Sequence, residues 1–139
     1  VDEGDGRYRL RAVIGGRIRV LDWAPDDPYP RASIDVWPDE PGPVVGAEKI
    51  GHIVDLILAL YQRVADVQGR RLRSDALEVD AAVAEDPALH LYALAARVPL
   101  GQADRYAVLA APTLAERVEV LVDAIETVAA MVEFQLSED

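Results

Sequence analysis

A chain of 139 residues suffices for one domain with a real core, and 51% of its residues are hydrophobic, drawn mostly from Leu, Val, Ile and Ala. Its formal net charge of −11 opposes a broad phosphate-binding surface, which argues against a nucleic-acid partner. The absence of Cys excludes disulfides, thiolate nucleophiles and Cys-based metal sites, and suits a reducing cytoplasm.

The opening from Val1 to Gly6 has neither a basic start nor an apolar run. Lacking an initiator Met, Val1 reads as a point inside a longer chain. Residues 7 to 37 then read as three strands. Tyr8, Leu10, Ala12 and Ile14 alternate with Arg7, Arg9 and Arg11, the period-two pattern of a half-buried strand. Ile18 and Val20 continue it beyond Gly15-Gly16. A three-residue loop from Gly15 to Arg17 would pair Ile14 with Ile18 and Ala12 with Val20, keeping the apolar residues on one face. The turn Asp26-Asp27-Pro28-Tyr29-Pro30 leads to a third strand carrying Ala32, Ile34 and Val36. Pro38 to Gly46 is dense in Pro and Gly and reads as a linker.

From Ala47 the pattern is helical. Ile50, Ile53, Ile57, Leu60, Val64 and Val67 recur at spacings of three and four, and Gly69 is a fitting stop. The apolar run from Ile53 to Tyr61 is interrupted at Asp55 and is too short to span a bilayer. Ser74 is placed to cap a short helix carrying Leu77 and Val83, and Asp86-Pro87 to open another with Leu91, Leu94 and Ala95 inside. A short helix follows over Leu100 to Leu109. Thr113 and Glu116 then form a capping box for a long last helix to Leu136, with Pro112 biasing Ala111 away from helix. Its stripe runs Leu114, Val118, Leu121, Ile125, Val128 and Val132. The two long helices are expected antiparallel, with the short ones across them. Strands, then a turn-rich linker, then helices only indicate an α+β fold with segregated parts.

Catalytic chemistry is hard to place on this chain. Lys49 is the only Lys and is followed by Ile50, so no phosphate loop ending Gly-Lys-Ser or Gly-Lys-Thr exists. Ser33, Ser74 and Ser137 have no Lys partner in a suitable context. His52, Asp55 and His90 lack paired ligand spacing and read as hydrogen-bonded structural residues, so no metal is expected. The acids Asp22, Asp26, Asp27, Asp35, Asp39 and Glu40 sit in turn-rich sequence and read as solvated surface. Trp23, Tyr29 and Trp37 fall within fifteen positions of one another. They either seal the sheet against the helices or form an apolar patch that grips a client.

The segment from Pro99 to Leu121 resembles the end of the N-terminal, substrate-binding domain of ATP-dependent Lon proteases. The resemblance rests on Pro99, Leu100, Asp104, Arg105, Leu109, Thr113, Glu116, Arg117 and Leu121. The strand segment is similar too: Arg7 to Leu10, a Gly-Gly-Arg turn, Ile18-Arg19-Val20, Trp23, and Pro28-Tyr29-Pro30-Arg31-Ala32. The best match is to small stand-alone bacterial proteins carrying this domain alone. The resemblance implies a PUA-like β-barrel followed by a helical bundle, with the family's first strands and a helix missing before Val1. Three strands cannot close a barrel, and an open edge invites association through the strand region.

These readings divide the chain into a β segment of a PUA-like barrel (1–38), a linker (39–46) and a helical bundle (47–139). The expected function is non-enzymatic and without cofactor: a cytoplasmic domain that binds unfolded or exposed apolar protein segments, with Trp23, Tyr29 and Trp37 as candidate binding residues. An alternative is an adaptor docking a fixed partner through its bundle. A small hydrolase built on scattered carboxylates is a third.

Overall fold

The structure is a computed structural model that describes residues 15–138. The strand expected over residues 7–14, and its pairing with Ile18 and Val20, lie outside the described residues. The other two expected strands are present. β1 (Ile18–Ala24) and β2 (Arg31–Val36) form an antiparallel hairpin across the loop that holds the Asp27–Pro28 cis peptide. Ile18 pairs with Val36 and Val20 with Ile34, after which Leu21 is bulged out and Asp22 pairs with Ser33. The bulge resets the alternation. Without it Asp22 would follow Val20 onto the apolar face; with it, Trp23 joins Ile18 and Val20 there, opposite Ala32.

Five helices follow: α1 (Ala47–Val67), α2 (Ala81–Glu85), α3 (Pro87–Ala95), α4 (Gln102–Ala110) and α5 (Leu114–Glu138). A hairpin followed by helices alone makes the fold α+β. α1 ends as its glycine dictates. Gly69 takes φ +62°, its N–H donates to Asp66 O, and Arg70 N–H donates to Ala65 O, so the last carbonyls of the helix are satisfied. Asp86 Oδ1 accepts from Ala88 and Leu89 N–H at 2.9 and 3.2 Å, with Pro87 opening α3. The capping box is reciprocal: Glu116 N–H donates to Thr113 Oγ1 at 3.1 Å, and Thr113 N–H to Glu116 Oε2 at 3.2 Å.

Ser74 does not start a helix. Residues 74–77 form a turn in which Arg73 grips Asp75 through two hydrogen bonds, and helix begins only at Ala81. Side chains two positions apart do not face each other on a helix, so the Arg73–Asp75 pair belongs to the turn. Val67 also departs from the expected stripe and is exposed at the end of α1.

The core joins Ile53, Ile57 and Leu60 of α1 to Val118, Leu121, Ile125 and Val128 of α5, with Leu91 and Leu94 of α3 between them. The two long helices run parallel, correcting the antiparallel expectation. Glu48 and His52, early in α1, line a hollow with Val118 and Val122, early in α5; Arg63, late in α1, bonds Glu133, late in α5. Antiparallel neighbours follow from short loops. Here α2, α3 and α4 lie between the two helices and carry the chain back to its starting end before α5 begins.

Candidate functional site

The hairpin presents an uncovered apolar face. Ile18 (48% exposed), Val20 (42%), Trp23 (67%), Ile34 (50%) and Val36 (77%) share it by the pairing above. The opposite face carries Arg19 paired with Asp35, Asp22 with Ser33, and Ala24 with Arg31. Tyr29, in the connecting loop, is also largely exposed. A strand that hides one face normally places polar residues on the other; here the apolar face is open to solvent, and five aliphatic or aromatic side chains lie side by side on it.

The three aromatics named from the sequence do not form one cluster. Trp23 stands on the apolar face and Tyr29 beyond the strand ends. Trp37 follows Val36 and so falls on the opposite face, half-buried between two cations. The guanidinium carbons of Arg17 and Arg19 lie 4.2 and 4.3 Å from its ring centroid.

Trp37 belongs to a buried polar node that fixes the hairpin to the bundle. Arg17, with its side chain 2% exposed, donates to Trp37 O (2.9 Å), Pro38 O (3.0 Å), Leu109 O (2.7 Å) and Ala111 O (2.9 Å). Its guanidinium also lies 3.0 Å from Asp39 Oδ1. Arg117, fully buried on α5, reaches the same carboxylate from the other side in a two-pronged pair of 2.9 and 2.5 Å, and donates to Val108 O. Asp39 thus bridges two arginines, one just before β1 and the other on α5. Arg117 holds the Asp39 carboxyl below the usual carboxylate range through its hydrogen bonds, against the upward pull of burial, and the charge of Arg17 adds to the lowering.

The segment between β2 and α1 is anchored at separate points. Glu40 N–H donates to Pro112 O, Val45 is buried in the core, and a Cβ on Gly42 would lie 2.8 Å from Thr113 Cβ. It carries neither helix nor strand, as its Pro and Gly content predicts, yet it lies against the loop before α5.

Sequence reasoning took Asp39 for a solvated acid and did not single out Arg117 as buried. A signal was present: position 117 lies three residues after Leu114 and four before Leu121, on the inward stripe of α5, where an Arg requires a buried acceptor. Arg117 stacks on the Tyr92 ring at 4.4 Å, and the Tyr92 hydroxyl has no hydrogen-bond partner among the described residues.

The remaining candidates are scattered. His52 is exposed on α1, and His90 is half-buried on α3. Ser33 is exposed on β2, Ser74 lies in the turn, and Ser137 donates to Phe134 O at the far end of α5. Among the described residues no three His, Asp or Glu side chains form a metal-binding group, and no helix is long and apolar enough to cross a membrane. A second feature lies at the other end of the bundle. The last turns of α1, residues 70–76 and the second half of α5 enclose an open groove of about 450 Å3. Its floor is Leu60, Val64, Val128 and Val132.

Residues 1–127 match the family model of the ATP-dependent protease La (LON) substrate-binding domain. The match covers the hairpin, the node and α1 to α4, together with the first half of α5. No curated protein matches the sequence. The family's role is substrate binding, and this domain of Lon is a non-catalytic part of that protease.

Proposed function

The chain belongs to the ATP-dependent protease La (Lon) substrate-binding domain family, and on that premise we propose that it binds exposed apolar segments of unfolded proteins on the open face of its hairpin. The observation that carries this reading is the contiguous row of Ile18, Val20, Trp23, Ile34 and Val36, left substantially exposed while the stripes that α1 and α5 turn toward each other are buried. Reversible burial of client side chains on that row supplies the driving force, roughly 25 cal/mol per Å2 of apolar area before the cost of association. Trp23 is the anchor, because a large rigid ring removes much area from water at little entropic cost. Tyr29 extends the patch past the strand ends. Trp37 acts one step back: wedged between Arg17 and Arg19, it holds the hairpin at a fixed angle to the bundle.

The bundle and the node are then a mount, and catalysis plays no part. The absence of Cys suits work in a reducing cytoplasm. The same face can also take a second copy of the chain, which would compete with the client and appear as concentration-dependent light scattering. An adaptor role has one observation in its favour: Met131 (53% exposed) and Phe134 (64%) lie three residues apart on the outside of α5, fit to meet a fixed partner.

The test is fluorescence anisotropy with a labelled, permanently unfolded protein such as reduced and carboxymethylated α-lactalbumin. Trp23→Ala is expected to weaken binding about tenfold or more, the effect of losing a central aromatic anchor, with the thermal melt unchanged. Unaltered binding by Trp23→Ala and by Ile34→Asp would sink the proposal.

A further inference from the structure

The groove at the far end of the bundle combines an apolar floor with unpaired positive charge, on a chain whose net charge is −11. The chain has 14 basic residues, and three of them, Arg70, Arg71 and Arg73, fall within four positions along this rim. Arg73 is neutralised by Asp75 at 2.6 Å. Arg70 and Arg71 are exposed and have no carboxylate partner among the described residues. The nearby pair Arg63–Glu133 is likewise internally balanced. What remains at the groove is therefore a net positive edge against an aliphatic surface. The turn at Gly69 satisfies the Gly69 and Arg70 N–H groups, and what the groove offers a ligand is its aliphatic lining and the charge of its rim.

We propose that this groove takes an apolar peptide segment flanked by acidic residues, as a second contact for the same kind of client. The occupant's aliphatic side chains cover the half-buried Val64, Leu72 and Val132, and its carboxylates meet Arg70 and Arg71. Charge complementarity selects this occupant. A basic flank is repelled by the two arginines, and an acidic flank, disfavoured over most of this acidic molecule, finds here the edge that accepts it. The groove lies about 20 Å along α5 from the Arg117 node, at 1.5 Å rise per residue between positions 117 and 132. A client spanning both ends gains by effective concentration and not by affinity at either site alone. This inference rests on the proposed client-binding function.

Three labelled peptides test it, sharing one aliphatic core and carrying Glu, Ser or Lys flanks, measured by anisotropy on the whole chain at low salt. The Glu-flanked peptide is expected to bind about tenfold more tightly than the Lys-flanked one, as two rim charge pairs allow. That preference should shrink as salt screens the rim. The double variant Arg70→Glu/Arg71→Glu, two exposed positions, should reverse it, while Trp23→Ala leaves the order of the three peptides intact. Equal binding of the three peptides, or a preference that survives the charge reversal, overturns the groove assignment alone. Binding of none of them overturns it together with the client-binding reading. A self-association abolished by Val132→Asp, with no flank preference, would place a second copy in the groove and also overturn the assignment.

Discussion

Val20 and Val118 are the same residue in two different settings. On the hairpin Val20 is 42% exposed, in a row of neighbours that are exposed as well; on α5 Val118 is 5% exposed, packed among Ile53, Leu121 and their neighbours. Both lie in strongly periodic sequence, one with period two and the other with period 3.6. Periodicity reports which side chains share a face, and it does so for Ile18 with Val20 and for Val118 with Leu121, failing where Leu21 bulges and where α1 ends at Val67. It does not report whether that face is covered. The bundle closes its face because α1 and α5 turn apolar stripes to each other, with α3 and α4 packed against them. The described hairpin has no comparable layer over its row, and that difference separates a mount from a binding surface.

The comparison breaks if the bundle tolerates what the hairpin tolerates. Leu121 is fully buried at the centre of the core, so Leu121→Ala is expected to cost about 2–5 kcal/mol through lost transfer energy and a cavity. Ile34→Ala, at a half-exposed position, should cost well under about 1 kcal/mol, as ordinary surface changes do. Denaturant melts of the two variants side by side check the contrast. Equal losses would mean that the hairpin face is covered after all.

The junction between the two regions is where the next largest loss is expected. Asp39→Asn removes the charge that Arg17 and Arg117 share and leaves Arg117 buried without a counter-ion, at a cost of about 3 kcal/mol. The pH dependence has a definite sign. The Asp39 carboxyl is held below its ordinary range in the folded state, chiefly by Arg117. Its contribution is therefore complete above the ordinary aspartate range and is lost as pH falls through and below it. Wild type should lose stability over that acid interval more steeply than Asp39→Asn, when both are followed by far-UV circular dichroism. Parallel acid profiles would mean that the node does not hold the two regions together.

A smaller effect sharpens the boundary of α5. Thr113→Ala removes the hydroxyl that accepts from Glu116 N–H, at a cost of about 1 kcal/mol. Because Thr113 also lies against the segment before α1, near Gly42, the loss should appear together with faster amide exchange around Glu40, whose N–H donates to Pro112 O. A loss confined to the first turn of α5 would mean that the segment is seated by the arginine node alone.

Much of the fold was legible in the sequence for local reasons. Asp86-Pro87, Gly69 and the Thr113–Glu116 box act within a few residues of themselves, and each sits at its helix end as its chemistry predicts. What escaped depends on contacts far apart in the chain. Arg17 bonds to carbonyls 92 and 94 residues away, and Arg117 meets Asp39 at a separation of 78. No periodicity encodes such a meeting, although an Arg on the inward stripe of α5 hinted at it. The parallel course of α1 and α5 escaped for a related reason, since direction depends on the path of three intervening helices. Leu21 was missed at the site itself: one bulged residue moves Trp23 onto the apolar row, and Trp37 leaves the cluster for the opposite face.

The central claim is that the open hairpin row receives the client while the bundle core does not. A methyl NMR titration with an unfolded protein observes both at once. The methyl signals of Ile18, Val20, Ile34 and Val36 are expected to shift or broaden as client is added, and those of Ile53, Ile57 and Ile125 to stay in place. Movement of the core methyls with a silent hairpin would contradict it.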